Sequence, residues 1–136
     1  TGPYLQYTLV RINSIFSKLA KRKIIKKQDI SSKISSSQFS LDSMSSKEQD
    51  DFWDLILYAS KLDEEVLHSI TTLEFLHLAK FTFNLSQKFN AFYHKYPIIQ
   101  EKNKSLRKCR ILTIDYIHKV LKKALDLMGI PQLERM

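Results

Sequence analysis

Glycine and proline are scarce in this 136-residue sequence, which has two glycines and three prolines. Apolar residues recur instead at three- and four-residue intervals, and strict alternation of apolar and polar residues is rare. Both observations favour helices over a sheet. We therefore predict an all-α fold, a bundle of about five main helices, in which residues 1–136 form one domain.

Cysteine is nearly absent, and so are the usual marks of a metal site. Cys109 is the one cysteine, so no internal disulfide can form. The four histidines are scattered, and His77 and His94 have no acidic or thiol partner at ligand spacing along the sequence. We expect no metal site in this chain.

Signals for membranes, export and catalysis are missing as well. No apolar run has the length of a bilayer span, and the first residues do not form a charged-then-apolar signal. No glycine-rich phosphate loop, His-Glu-x-x-His motif or cysteine pair occurs. These absences predict a cytoplasmic protein with no membrane partner and no catalytic residue in this chain.

Positive charge, in contrast, is in excess. Lysine and arginine number 22 against 14 acidic residues, which gives a net charge of +8 and a pI near 9.6. Basic side chains bind polyanions with release of counterions, so this balance favours a nucleic-acid partner. Charge alone does not separate such a protein from other basic proteins.

Capping and stop signals divide the chain into five predicted helices. Capping boxes at residues 45–48 and 71–74 mark the starts of the second and fourth helices. Ser105 is the predicted cap of the fifth helix, and Gly129 its end. The predicted helices span about residues 3–21, 46–60, 62–70, 71–95 and 105–129.

A serine-rich connector is predicted at about residues 28–46, because nine serines fall between residues 31 and 46. Phe39, Leu41 and Met44 interrupt it with large apolar side chains. We expect these three residues to pack back onto the bundle, as an ordered surface loop does.

Apolar stripes at helical spacing predict the core. Trp53 on the second helix is also predicted to be a core residue. The stripes on the first, fourth and fifth helices comprise Leu5, Leu9, Ile12, Phe16 and Leu19; Leu78, Phe81, Leu85, Phe89 and Phe92; and Ile114, Ile117, Leu121, Ala124, Leu125 and Met128.

A second stripe on the first helix is chemically different. Tyr4, Tyr7, Arg11 and Ser14 recur at three- and four-residue steps, so they share another side of that helix. Aromatic faces beside a planar cation can hold unstacked nucleotide bases. The alternative is that both tyrosines are boundary residues of the core with a solvated hydroxyl.

Three segments in the same order resemble arginyl-tRNA synthetases. Residues 1–7 with 11–15 are similar to the helix that joins the catalytic domain of that family to its anticodon-binding domain. Residues 85–93 are similar to the middle helix of the anticodon-binding domain, and residues 127–136 to the carboxyl terminus of the family. The resemblance implies a C-terminal, all-helical anticodon-binding domain of the DALR type, cut from a longer enzyme.

The same resemblance implies which residues bind tRNA. Family positions matching Tyr4, Tyr7, Arg11 and Ser14 face the anticodon loop, and the aromatic residue matching Tyr93 shares that surface. The terminal methionine, Met136, is implied to pack beside the central anticodon base. Some relatives carry a second aromatic residue shortly after Tyr93, and Tyr96 is the candidate substitute for it here.

By this resemblance the chain recognises tRNA-Arg for a parent arginine-tRNA ligase active in protein biosynthesis. Arginine, ATP and Mg²⁺ would bind to a catalytic domain absent from this chain, which by itself needs no cofactor. The expected partners are tRNA-Arg and that catalytic domain, and the expected oligomeric state is a monomer. The alternative is a helical protein-interaction or scaffolding domain that binds no tRNA.

Overall fold

The computed structural model describes residues 2–22 and 41–133. These residues form five α-helices, one 3-10 turn and no strand. The helices are α1 (Gly2–Lys21), α2 (Ser46–Ala59), α3 (Leu62–Thr72), α4 (Leu76–Lys95) and α5 (Lys104–Leu127), and the 3-10 turn spans Leu41–Ser43. The predicted all-α bundle of about five main helices is confirmed.

The central element is α4, because each of the other four helices packs against it. The last helix, α5, also contacts both α1 and α2. In contrast, α3 is peripheral and packs chiefly on α4, with which it forms a helical hairpin. The position of α4 explains why its apolar stripe is the most completely buried one.

The apolar stripes predicted from the sequence form the core. All five predicted residues of α4 are buried, as are four of the five on α1. The fifth, Phe16, is partly buried and meets the ring of His118 edge-on, with the centroids 5.9 Å apart. The predicted stripe of α5 is buried except for Met128, which is partly buried.

Trp53 lies outside this core, so its prediction as a core residue is wrong. Its side chain is 45% exposed and rests against the edge of the Phe52 ring. The buried face of α2 is set by Phe52, Leu55 and Ala59, at three- and four-residue steps. Trp53 is one position off that stripe, and α2 packs on neighbours from one side only.

The start of α2 is partly as predicted. The Ser45 hydroxyl oxygen accepts a hydrogen bond from the backbone N–H of Glu48, which confirms Ser45 as the N-cap. The Glu48 carboxylate does not return to the helix end, as a full capping box would require. It is buried and forms an ion pair with Arg110 on α5 instead.

Two other cap predictions are wrong. Thr71 and Thr72 end α3 rather than opening α4, and their hydroxyls donate to carbonyls of the preceding turn, at Leu67 and His68. The N-cap of α5 is Asn103, whose side chain accepts a hydrogen bond from the backbone N–H of Leu106. Asn103 therefore caps α5 two residues before the predicted position, whereas α4 begins after Phe75 with no side-chain cap.

The same backbone turn ends α3 and α5. After α3, the N–H of Glu74 bonds to the Ser69 carbonyl, and Leu73 at the turn has a φ of 56°. After α5, Gly129 occupies the equivalent place with a φ of 71°, which confirms the predicted end of that helix. A leucine therefore stands at a left-handed position that suits glycine.

Of the serine-rich connector, the structure describes residues 41–46. Met44 is buried and Leu41 is partly buried against the core, as expected. Phe39 lies outside the described residues.

The expectation that His77 has no acidic partner is wrong. The hairpin of α3 and α4 stacks the rings of His68 and His77, with centroids 4.0 Å apart, and brings Glu65 beside them. The sequence separates these residues, and only the packing of two antiparallel helices joins them.

Among the described helices, none combines the length and the apolar character that a membrane span requires.

Candidate nucleic-acid interface

The two stripes of α1 face different surroundings. Leu5, Leu9 and Ile12 are buried against the neighbouring helices, which fixes the rotation of α1 about its axis. Tyr4 and Arg11 then fall at the edge of that contact and are partly buried. Tyr7 and Ser14 lie farther around the axis of α1 from the buried face and are exposed. The Tyr7 side chain is 51% exposed.

Asn90 on α4 joins the partly buried members of this stripe. Its side-chain oxygen accepts a hydrogen bond of 2.7 Å from the guanidinium of Arg11. Its side-chain NH₂ donates to the hydroxyl of Tyr4 at 3.0 Å and to the hydroxyl of Thr8 at 3.4 Å. Because a guanidinium can only donate, the amide oxygen must face Arg11, and the amide orientation is determined.

Arg11 is also held by an aromatic ring. The guanidinium carbon lies 5.0 Å from the centroid of Tyr93, one turn after Asn90 on α4. Within the described part of the chain, no carboxylate pairs with Arg11. Among the described residues, neutral groups therefore position its positive charge, and none of them occupies its remaining N–H donors.

Tyr4 is anchored more firmly than Tyr7. The Tyr4 ring packs at a tilt against Phe83, with the centroids 5.2 Å apart, and its hydroxyl is fixed by Asn90. Tyr7 lies one turn along α1 and its ring is open to solvent. The exposed ring is the better stacking platform, and the anchored ring supports the surface beside it.

The segment after α5 returns to the same helix. The side-chain amide of Gln6 donates a hydrogen bond of 2.8 Å to the carbonyl of Pro131. Gln6 directly precedes Tyr7, so the chain beyond α5 passes close to the stripe. Met136 lies outside the described residues, and its implied role stays a prediction.

Tyr96 contacts a different set of residues. Its hydroxyl donates a hydrogen bond of 2.6 Å to the carboxylate of Asp51 on α2, and its ring packs on Phe92. Burial and that hydrogen bond raise the pKa of Tyr96 to about 12. The same bond, helped by Lys95, holds the pKa of Asp51 below its usual value.

Arg110 on α5 completes this second group. It is buried, donates to Glu48 and to the Pro97 carbonyl at 2.8 Å, and reaches Glu101 at 2.9 Å. The guanidinium carbon lies 5.5 Å from the Tyr96 ring centroid. A backbone N–H at Asn103 and the charge of Arg110 lower the pKa of Glu101. This network ties α2 and α5 to the end of α4.

A comparison with known families matches nearly the whole chain. The family model described as "DALR anticodon binding domain" matches residues 5–136. The chain belongs to this family.

Curated relatives of this DALR domain are arginine–tRNA ligases. They include those of Prochlorococcus marinus (37% identical over 136 residues), Idiomarina loihiensis (32% over 139 residues) and Parabacteroides distasonis (29% over 138 residues). Each alignment covers 100% of this chain but only 20% to 21% of the relative. The DALR domain therefore spans about a fifth of the length of the relatives it matches.

The structure of this DALR domain divides the predicted site residues into three groups. Asn90 joins Tyr4 to Arg11, and Arg11 lies over the ring of Tyr93. Tyr7 and Ser14 lie on the exposed side of α1. Tyr96 is bonded to α2 and is not part of this cluster. The assignment of these residues to tRNA is untested and remains a prediction.

Asn90 is the residue that sequence reasoning missed. It lies inside the segment 85–93 that carries the family resemblance, three residues before Tyr93 and so on the same side of α4. An asparagine in the middle of a predicted helix is also less favourable than most residues, unless its amide has partners. Those two signals together could have identified it.

Proposed function

We propose that this chain binds the anticodon loop of tRNA-Arg and thereby directs a parent arginine-tRNA ligase to its substrate. The observation that carries the proposal is the cluster of Arg11, Asn90 and Tyr93, with the exposed ring of Tyr7 beside it. Membership of the DALR anticodon-binding family and the names of the relatives support the same function.

The proposed roles follow from exposure and chemistry. Tyr7 stacks on an unpaired base, because its ring is open and flat. Arg11 binds a phosphate or stacks on a base, held at a fixed angle by Asn90 and Tyr93. Ser14 supplies a small hydroxyl on the same side. Tyr4 and Tyr93 support this surface, and Met136 adds an adaptable apolar contact at the chain end.

Recognition and reaction are separated in this proposal. Arginine, ATP and Mg²⁺ bind to a catalytic domain elsewhere in the parent enzyme, and the energy of anticodon binding orients the acceptor end of the tRNA toward it. The partners of the chain are therefore tRNA-Arg and that catalytic domain. The proposed oligomeric state is a monomer.

The experiment is aminoacylation by the full-length enzyme of tRNA-Arg transcripts with and without a changed central anticodon base. Tyr7→Ala should reduce the preference for the correct transcript by about 1–3 kcal/mol, the contribution of one stacked base. Deletion of Met136 should reduce it as well. Tyr116→Ala is the matched control, because Tyr116 is also an exposed tyrosine but lies beside α2 and α3.

Unchanged preference in both the Tyr7→Ala and Met136-deleted enzymes would contradict the proposal. The tyrosines would then be boundary residues of the bundle, and the chain would act as a protein-interaction or scaffolding domain. A loss of equal size in Tyr116→Ala would also contradict it, because that change leaves the proposed surface intact.

A further inference from the structure

The hairpin of α3 and α4 brings three metal-binding side chains to one place. Glu65 and His68 are three residues apart on α3, so they project from the same side of that helix. His77 lies in the first turn of α4, after the reversal around Leu73. The antiparallel packing of the two helices sets His77 opposite His68.

The geometry of this group is compact. The rings of His68 and His77 stack with centroids 4.0 Å apart and planes 23° from parallel. One ligand atom from each of Glu65, His68 and His77 lies within 4.8 Å of the others. Two imidazoles and a carboxylate are therefore neighbours at the surface of the hairpin.

The described residues offer no competing polar partner to these three ligand groups. Across the described ranges 2–22 and 41–133, no lysine or arginine forms an ion pair with Glu65, and neither imidazole makes a hydrogen bond. Elsewhere on the surface, acidic side chains such as Asp54, Asp115 and Asp63 pair with lysines. The Glu65 carboxylate is left facing two nitrogen ligands.

We propose that Glu65, His68 and His77 bind a divalent transition-metal ion of the zinc class. Two imidazoles and one carboxylate are a ligand set that Zn²⁺ accepts, with water in the fourth position. Hard cations such as Mg²⁺ prefer oxygen ligands and are poorly suited to this set. The two histidines select a borderline metal over the common hard cations.

The imidazoles must turn to coordinate one ion, because the nitrogen lone pairs of two stacked rings lie in nearly parallel planes. Zinc-to-ligand bonds of about 2.0–2.2 Å place tetrahedral ligands roughly 3.4 Å apart. The present spacing of up to 4.8 Å narrows to that value by rotation of the side chains. His68 is exposed, and Glu65 and His77 are partly exposed, so these rotations meet no packed core.

The metal would link a weakly anchored helix to the centre of the bundle. Only Leu62 and Ser69 are buried on α3, whereas seven residues are buried on α4. Large apolar side chains of this hairpin are exposed, including Leu73 at 89% and Leu67 at 65%. Coordination across the two helices would therefore restrict α3 more than any other helix.

The test is calorimetric titration of the tag-free protein with Zn²⁺, together with the visible absorption of bound Co²⁺. Wild type should bind one Zn²⁺ per chain and should not bind Mg²⁺. His68→Gln, His77→Gln and Glu65→Gln should each weaken Zn²⁺ binding at least about tenfold, because each removes a direct ligand. The double variant of both histidines should lose one-to-one binding.

The chain offers matched controls for both residue types. His94→Gln removes an exposed histidine at the other end of α4, and Glu64→Gln removes the exposed neighbour of Glu65. Both controls should bind Zn²⁺ as wild type does. Metal-free circular dichroism should be unchanged in all the variants, because the altered side chains lie at the surface.

Hydrogen exchange gives a second readout. Zn²⁺ should slow amide exchange in α3 of the wild type, with a much smaller effect on α5, and should have no effect on α3 in the double variant. Absence of stoichiometric Zn²⁺ binding would overturn the proposal. So would binding that His68→Gln and His77→Gln leave unchanged, or that His94→Gln weakens to the same extent.

Discussion

Single residues decide how the aromatic stripe of α1 is used. Asn90 is the clearest case, because one amide fixes both the Arg11 guanidinium and the Tyr4 hydroxyl. Its oxygen accepts a hydrogen bond from Arg11 and its NH₂ donates one to Tyr4, so neither a leucine nor an aspartate can make both bonds. Asn90 is therefore a positioning residue for Arg11 under the proposed function.

Asn90→Ala in the full-length enzyme should weaken discrimination between tRNA-Arg transcripts by about 1–2 kcal/mol, since a hydrogen bond to a charged group is lost. The measurement is kcat/KM for the correct and the altered anticodon. Gln87→Ala, at an exposed position of the same helix, is the control. An Asn90→Ala enzyme with wild-type discrimination would show that Arg11 is positioned without the amide.

The left-handed residue that ends α3 gives a stability prediction. Leu73 is 89% exposed and has a φ of 56°, where glycine is favoured and a leucine is strained. Leu73→Gly should raise the free energy of unfolding by about 0.5–1 kcal/mol in urea titrations. Leu67→Gly, in the interior of α3, should instead lower it by about 1 kcal/mol. Destabilisation by both changes would contradict the prediction.

The bond from Tyr96 to Asp51 predicts a pH-dependent stability. Tyr96→Phe should lower the free energy of unfolding by about 1 kcal/mol at neutral pH, the net contribution of one hydrogen bond. The folded pKa of Tyr96 is raised to about 12. The unfolded chain ionises near pH 10, so the contribution is complete below about pH 10 and is lost as pH rises toward the folded value.

At acid pH, the contribution of the same hydrogen bond to stability is lost as the pH falls. The pKa of Asp51 is lowered in the folded chain, so its contribution is complete above about pH 4 and is lost as pH falls through the folded value. The difference between wild type and Tyr96→Phe should therefore be largest between these limits. Urea unfolding across the pH range measures it, and a difference independent of pH would refute the assignment.

At the scale of helices, the ion pair between Glu48 on α2 and Arg110 on α5 has the largest desolvation cost, because both charges are buried. Glu48 and Arg110 are almost fully buried, and Glu48 Oε2 accepts no hydrogen bond from the described residues. A buried pair of this kind adds little net stability over apolar side chains, but the loss of one partner leaves an uncompensated charge. Replacing only one of the two residues should therefore destabilise the fold more than replacing both.

Arg110→Met should lower the free energy of unfolding by about 3–5 kcal/mol, because Glu48 is left buried without its cation. The double variant Glu48→Leu/Arg110→Met should recover most of that loss. Arg107→Met, at a partly buried arginine of the same helix, is the control and should cost less than about 1 kcal/mol. A double variant as unstable as Arg110→Met would mean that Glu48 is not the source of the loss.

At the scale of the whole molecule, stability depends on the shared core of α1, α4 and α5. Leu121 is 1% exposed in this core. Leu121→Ala should lower the free energy of unfolding by about 2–5 kcal/mol, through lost burial and the cavity that remains. Urea unfolding followed by circular dichroism measures this, and Leu127→Ala, at an exposed leucine of α5, should cost far less. Similar losses in both variants would contradict the predicted core.

The sequence alone determined the helices and the buried stripes, because both follow from local spacing. Periodic apolar residues define one face of a helix wherever its neighbours lie, so Leu9, Phe89 and Leu121 could be predicted as core. The same method failed for Trp53, since local spacing does not say how wide the covered face of α2 is. It also failed at Thr71, which matches a cap pattern in the sequence but lies in the last turn of α3, while α4 begins without a side-chain cap.

Only the tertiary structure decided the contacts that make sites. Arg11 and Asn90 are 79 residues apart, and Glu48 and Arg110 are 62 apart. Such pairs depend on how each helix is rotated and where it crosses its neighbours, and no local pattern encodes either quantity. For the same reason the family resemblance offered Tyr96 as a candidate beside Tyr93, and the sequence left His77 without a partner. Packing against α4 bonded Tyr96 to Asp51 and set His77 beside His68 and Glu65.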